Sequence, residues 1–76
     1  MSTNQTTDLT ELITEIYRET LADATLGPDC DFFEAGGDSL AAFQITARLQ
    51  EHLGTDVPVA LVFSYPTPAD LAEWVR

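Results

Sequence analysis

The 76-residue chain has no lysine and only one cysteine, one histidine and one tryptophan. Cys30 therefore has no partner for a disulfide within the chain. Cys30 and His52 together are too few ligands for a structural zinc site. No apolar stretch approaches the roughly 20 residues of a membrane span, and residues 1–7 lack the basic and apolar regions of a signal peptide. Basic charge is scarce: three arginines stand against 13 acidic residues, a net charge of −10. Such a surface repels nucleic-acid phosphates and anionic lipid head groups, so neither nucleic acid nor a membrane is expected as a partner. It attracts partners that carry basic patches. What the chain does have is 45% hydrophobic and 9% aromatic residues, enough for an ordinary core. The length allows one domain, which buries roughly 60% of its unfolded surface. The expectation is a reduced, cytoplasmic, monomeric protein held by hydrophobic packing.

Residues 1–7 read as a mobile tail, and residues 8–76 as the domain. Asp8 and Glu11 make a capping-box-like helix start. Leu9, Leu12, Ile13, Ile16 and Thr20 follow as an amphipathic stripe, and Gly27-Pro28 closes that helix. Glu11, Glu15 and Glu19 line a solvated face with Arg18 among them. Residues 27–38 are a long loop, and loops of this length in a small domain tend to be functional. Its adjacent Phe32 and Phe33 read as a plug pinning the loop to the core.

A second helix is predicted from Ser39 to Leu53, with Asp38 as N-cap and Gly54 as the stop. Ala42, Ile45, Leu49 and Leu53 form a core stripe. Leu40, Phe43 and Ala47 form another, roughly 140° away, and that surplus stripe is a candidate partner-binding patch. Burial of both stripes by a central helix is the competing possibility. Val57–Phe63 predicts a short third helix or helical turn, because no other segment offers a strand partner. Thr67, Pro68 and Asp70 start a fourth helix, with Leu71, Trp74 and Val75 as its buried face and Arg76 suited to its negative end. The fold class is all-α, a small four-helix bundle of three longer helices and one short one.

Ser39 ends the string Glu-Ala-Gly-Gly-Asp-Ser and begins a helix, where free N–H groups and the dipole favour a phosphodiester on its oxygen. A serine that only helps Asp38 cap the helix would read the same way. The stretch Asp31-Phe32-Phe33-Glu34-Ala35-Gly36-Gly37-Asp38-Ser39-Leu40 resembles the attachment motif of the peptidyl carrier (thiolation) domains of nonribosomal peptide synthetases. Ala47-Arg48-Leu49, Val57-Pro58 and Phe63 to Ala72 resemble the rest of that family in order and spacing. Ala35 stands where the family usually has leucine, and Asp38 where many members have histidine.

The resemblance implies an acyl-carrier-protein-like fold and a protein that is not itself an enzyme. Ser39, with Gly37 and Asp38 beside it, would take 4'-phosphopantetheine from coenzyme A through a phosphopantetheinyl transferase. The arm's thiol would carry an aminoacyl or aryl thioester. An adenylation enzyme would load it, and condensation, tailoring or thioesterase enzymes would receive it, in nonribosomal peptide or related natural-product biosynthesis. The partner patch of Leu40, Phe43 and Ala47 would extend to Phe63. Asp38 reads as an N-cap and electrostatic recognition point, and Cys30 as a partly buried spacer and not the working thiol. The tail at Met1 suggests a free-standing carrier.

Four other readings compete with this one. A serine hydrolase would need a histidine base, and His52 lies on the order of 20 Å along the helix from Ser39. Calcium-loop registers starting at Asp23 and Asp29 both fail, the first for Pro28 at the glycine position and the second for Phe33 and Leu40 at ligand positions. An acyl carrier of fatty-acid or polyketide synthesis would share fold, cofactor and serine; Phe32-Phe33, Gly36-Gly37 and Pro66-Thr67-Pro68 favour the peptidyl type. An unmodified acidic interaction bundle is the distant alternative.

Overall fold

The computed structural model describes residues 5–75, with side chains from residue 9 onward. Four helices follow one another: α1 (Gln5–Leu21), α2 (Ser39–Leu53), α3 (Ala60–Ser64) and α4 (Pro68–Val75). No strand occurs among the described residues, so the all-α bundle of three longer helices and one short one is what forms. α1 packs against both α4 and α2, and α3 bridges α2 and α4. No helix among the described residues is long and apolar enough to cross a membrane.

The stripe on α1 buries Leu9, Ile13 and Ile16 as its spacing predicts. Tyr17 is fully buried as well, which the stripe does not show. With two helices against it, α1 hides a wider arc than the line through Leu9, Ile13 and Ile16, and Tyr17, four residues on from Ile13 and so about 40° round from it, falls inside that arc. Thr20, also on the stripe, encloses a hydroxyl with no hydrogen-bond partner among the described residues, a cost of about 1–3 kcal/mol.

Both ends of α1 depart from expectation. It starts at Gln5, so residues 5–7 are helix and not tail, while residues 1–4 lie outside the described residues. A capping box is a local preference, and residues 5–7 contain no glycine or proline to interrupt helical hydrogen bonding. The helix stops at Leu21, well before Gly27-Pro28. Ala22 turns into the left-handed region at φ 57°, and the Asp23 N–H donates to the Arg18 carbonyl at 3.0 Å. This is a Schellman ending with alanine where glycine is usual, so no glycine marks it in the sequence. Arg18 then fastens the departing chain, its Nε donating to the Leu26 carbonyl at 2.7 Å. Arg18 also pairs with Glu15 on the solvated face, and Arg48 of α2 pairs with Glu19 of α1. Pairs this exposed add little stability.

α2 runs between its two predicted caps, with the Gly54 N–H donating to the Gln50 carbonyl at 2.8 Å at φ 70°. Beyond it, the Gln50 side chain accepts the Val57 N–H at 3.0 Å, which holds the connection to α3 against α2. α4 begins as Thr67, Pro68 and Asp70 predict: the Thr67 hydroxyl accepts the Asp70 N–H at 3.1 Å. Of its predicted buried face, Leu71 and Val75 hold and Trp74 does not. Pro68, Leu71 and Ala72 are buried and Val75 partly so, an i, i+3, i+4, i+7 line. Trp74 falls off that line, is 58% exposed, and stacks on Tyr65 at 4.9 Å. Arg76 lies outside the described residues.

Candidate functional site

The ground around Ser39 is prepared by the loop before it. Phe32 is completely buried, its ring meeting Tyr17 edge-on at 6.0 Å and Phe63 at 6.4 Å. Its N–H donates to the Pro66 carbonyl at 3.0 Å, and the Tyr17 hydroxyl donates to the same oxygen at 3.0 Å. One carbonyl thus joins α1, the loop and the connection between α3 and α4. A further bond from the Ala69 N–H to the Pro28 carbonyl, 3.0 Å, closes the loop's near end onto α4.

Residues 31–37 form a tight turn inside that frame. Asp31 Oδ1 accepts the N–H groups of Phe33 and Glu34 at 2.8 and 3.1 Å, and the Asp31 carbonyl accepts that of Ala35 at 2.9 Å. The two glycines then do different things. Gly36 sits at φ 92°, where an L side chain is strained. Gly37 lies so close to Phe32 that a Cβ there would stand 2.4 Å from ring carbons. Gly37 is therefore where α2 approaches the plug of the loop.

Tyr17 reports on this junction. Burial first, then the nearby Cys30 and Asp31, pushes its phenol well above the ordinary tyrosine range. The folded state accordingly holds the neutral phenol. This contribution is complete below about pH 10, the ordinary tyrosine pKa, and is lost as pH climbs from there toward the folded value, because the unfolded chain ionises first. Alkaline titration of stability should fall more steeply in the wild type than in Tyr17→Phe, and equal slopes would show that the buried phenol does not titrate with unfolding.

Ser39 is the first residue of α2 and exposed. Capping is done by Asp38 alone, whose Oδ1 accepts the Ala41 N–H at 2.9 Å while its carbonyl accepts that of Ala42 at 2.9 Å. The Ser39 hydroxyl has no hydrogen-bond partner among the described residues. The reading in which the serine merely assists the cap therefore fails. Two N–H groups of the first turn, those of Ser39 and Leu40, have no acceptor within the helix and face the end where negative charge is favoured. A free hydroxyl, two open donors and a positive helix end fit a phosphodiester.

Along α2 the two stripes separate as expected, and burial of both is excluded. Ala42, Ile45 and Leu49 are fully buried and Leu53 partly so, whereas Leu40 and Phe43 are 66% and 60% exposed and Ala47 is exposed with them. Phe63 on α3 is 40% exposed. Ala47 and Phe43 also line an open groove of about 440 Å³ against residues 56–59. His52 is exposed in the last turn of α2, at the opposite end from Ser39, so no serine–histidine pair exists. Cys30 is half-buried, and burial raises its thiol pKa, which leaves it protonated and a poor nucleophile.

The phosphopantetheine attachment site family matches residues 8–75. The chain belongs to this family. The group such a domain attaches is 4'-phosphopantetheine, and the domain is a carrier that is modified by a transferase and is not an enzyme. Its homologues are peptidyl carrier domains of nonribosomal peptide synthetases. Among them, surfactin synthase subunit 3 of Bacillus subtilis (strain 168) is 36% identical over 69 residues, which cover 91% of this chain and 5% of that protein. The carrier thus spans about a twentieth of the length of that curated relative. Of solved structures, BlmI, a type-II acyl carrier protein from Streptomyces verticillus involved in bleomycin biosynthesis, superposes with a TM-score of 0.91 at 29% identity, covering 95% of this chain and 87% of that one. A chain from the complex of the phosphopantetheine transferase Sfp with coenzyme A and a peptidyl carrier protein gives 0.83 at 27% identity, covering 88% and 87%.

The structure corrects one reading at the site itself. Only Phe32 plugs the loop; Phe33 is 51% exposed and stacks on Phe63 at 5.9 Å. The Asp31 carboxylate, which accepts the Phe33 and Glu34 N–H groups, turns the chain directly after Phe32 and so sends the second ring outward. An Asp two residues before the second Phe is the signal that such a turn leaves in the sequence.

Proposed function

We propose that Ser39 is the attachment residue of this carrier, with Gly37 and Asp38 shaping its surroundings. The observation that carries the proposal is the division of labour at the head of α2: Asp38 caps the helix and leaves the neighbouring hydroxyl exposed and unbonded. The arm would bear an aminoacyl or aryl thioester, loaded by an adenylation enzyme and passed to condensation, tailoring or thioesterase enzymes in nonribosomal peptide or related biosynthesis. Leu40, Phe43, Ala47 and Phe63 form the surface on which these enzymes dock, and the net charge of −10 draws those with basic faces. Reduced Cys30 and the need for coenzyme A support a cytoplasmic location.

The test is to incubate the chain with coenzyme A and a broad-specificity phosphopantetheinyl transferase, then digest it and map the added mass. One phosphopantetheine on the peptide containing Ser39 is expected. An arm on Ser64 or any other residue, or no gain on a folded chain, would overturn the assignment. Loading by an adenylation enzyme with an amino acid then separates a peptidyl carrier from a fatty-acid or polyketide carrier.

A further inference from the structure

We propose that the groove between α2 and residues 56–59 holds the amino acid carried on the arm, with the Asp56 carboxylate taking its α-ammonium and the Gln50 amide donating to its carbonyl. The inference rests on Ser39 being the attachment residue and names the class of cargo that this carrier suits. Ser39 heads the row of α2 that lines the groove. Phe43, Thr46 and Gln50 follow it at i+4, i+7 and i+11, all within about 40° of Ser39 around the helix axis. At about 1.5 Å per residue, that row runs from about 6 Å to about 16 Å beyond the serine. A phosphopantetheine arm extends on the order of 15–20 Å by ordinary bond lengths, so its acyl end comes level with Gln50. The groove has a volume of about 440 Å³, within the range of roughly 300–1,000 Å³ found for small-molecule sites.

The lining suits one kind of cargo. Phe43, Ala47, Pro58 and Val59 give it an apolar wall, and no basic side chain lines it. Gln50 is held in place: its Oε1 accepts the Val57 N–H at 3.0 Å, which leaves both N–H donors of the amide without a partner among the described residues. Asp56 is exposed and likewise has no hydrogen bond or ion pair among the described residues. A fixed donor and an open carboxylate beside an apolar wall match a carbonyl, an ammonium and a side chain, the three parts of an aminoacyl group. A fatty-acyl or aryl group would cover the carboxylate and offer it no partner, which costs free energy. Tethering makes weak contacts sufficient, because an attached ligand meets its site at a roughly millimolar effective concentration. Phe43 and Ala47 belong also to the surface on which partner enzymes dock, so an arriving enzyme competes with the amino acid and frees it.

The test loads the full chain enzymatically with arms whose sulfur is replaced by nitrogen, so that alanine or propionate is joined through a stable amide. The two cargoes differ only in the α-ammonium. Intact mass and peptide mapping come first: an arm on another residue, or none, overturns the attachment reading and is told apart at that stage. Amide proton–nitrogen correlation spectra are then compared with those of the thiol-bearing arm. Alanyl cargo should shift the Gln50 side-chain amide and the backbone amides of Asp56, Val57 and Val59, and its methyl group should show cross-relaxation with the Phe43 ring. Propionyl cargo should shift these signals about threefold less, as should alanyl cargo on Asp56→Asn, the effect of losing one exposed ion pair. Glu51→Gln removes the same charge about 120° round from Ser39 on α2 and should leave the alanyl shifts unchanged. Shifts confined to residues 38–42, equal shifts from alanyl and propionyl cargo, or a fall equalled by Glu51→Gln would overturn the proposal.

Discussion

A Ser39→Ala chain is expected to stay at its unmodified mass after incubation with coenzyme A and transferase, and to unfold within about 0.5 kcal/mol of the wild type. Alanine offers no oxygen to bear the arm, so the loss should be complete. The unchanged stability is the more informative half. Ser39 is exposed, its hydroxyl bonds to no described residue, and Asp38 already satisfies the Ala41 N–H. Alanine is also the better helix former. Had the serine been a cap, its removal would cost about 1 kcal/mol. Asp38→Ala should show that cost in urea denaturation while leaving an oxygen at position 39. Loss of about 1 kcal/mol in Ser39→Ala instead would mean that the hydroxyl supports the helix and is not held free for modification.

The second large effect belongs to Phe32. Its ring is fully buried and touches aromatic rings of α1 and α3, so Phe32→Ala should cost about 3–5 kcal/mol. A domain of this size has about 4–11 kcal/mol in total, so the variant should sit near or past the edge of folding. Gly37→Ala attacks the same contact from the other side, since its Cβ would stand 2.4 Å from the ring. That overpacking should cost about 1–3 kcal/mol. Combining Gly37→Ala with Phe32→Leu should cost clearly less than the sum of the two, because the smaller side chain makes room. Additive costs in a denaturation cycle would show that glycine is needed at 37 for some reason other than the ring.

How far these features could be read from the residues depends on whether a local signal existed. α2 was legible end to end because both of its caps are written in the sequence, Asp38 before it and Gly54 after it. Its exposed stripe was legible because two apolar lines on one 15-residue helix exceed what a small core can hold. The end of α1 was not, since Ala22 does the work of a glycine. Tyr17 and Trp74 were exchanged, one wrongly left out of the core and the other wrongly placed in it. Burial on a helix depends on how many neighbours press on it, and periodicity does not report that number. Phe32 and Phe33 look identical in the sequence, and only the turn made by Asp31 assigns one to the interior and the other to the surface.

The Pro66 carbonyl, which takes hydrogen bonds from residues 17 and 32, has a consequence for the order in which the molecule is made. Synthesis runs from the N-terminus, so Ser39 leaves the ribosome well before Pro66 and Ala69, the two residues that tie its loop down. Until they follow, Phe32 lacks its backbone acceptor and the turn through Gly37 has nothing to close against. The shape that distinguishes Ser39 from any other exposed serine thus exists only when translation of the domain is nearly finished; with Ser39 as the proposed attachment residue, a nascent chain would be a poor target for modification.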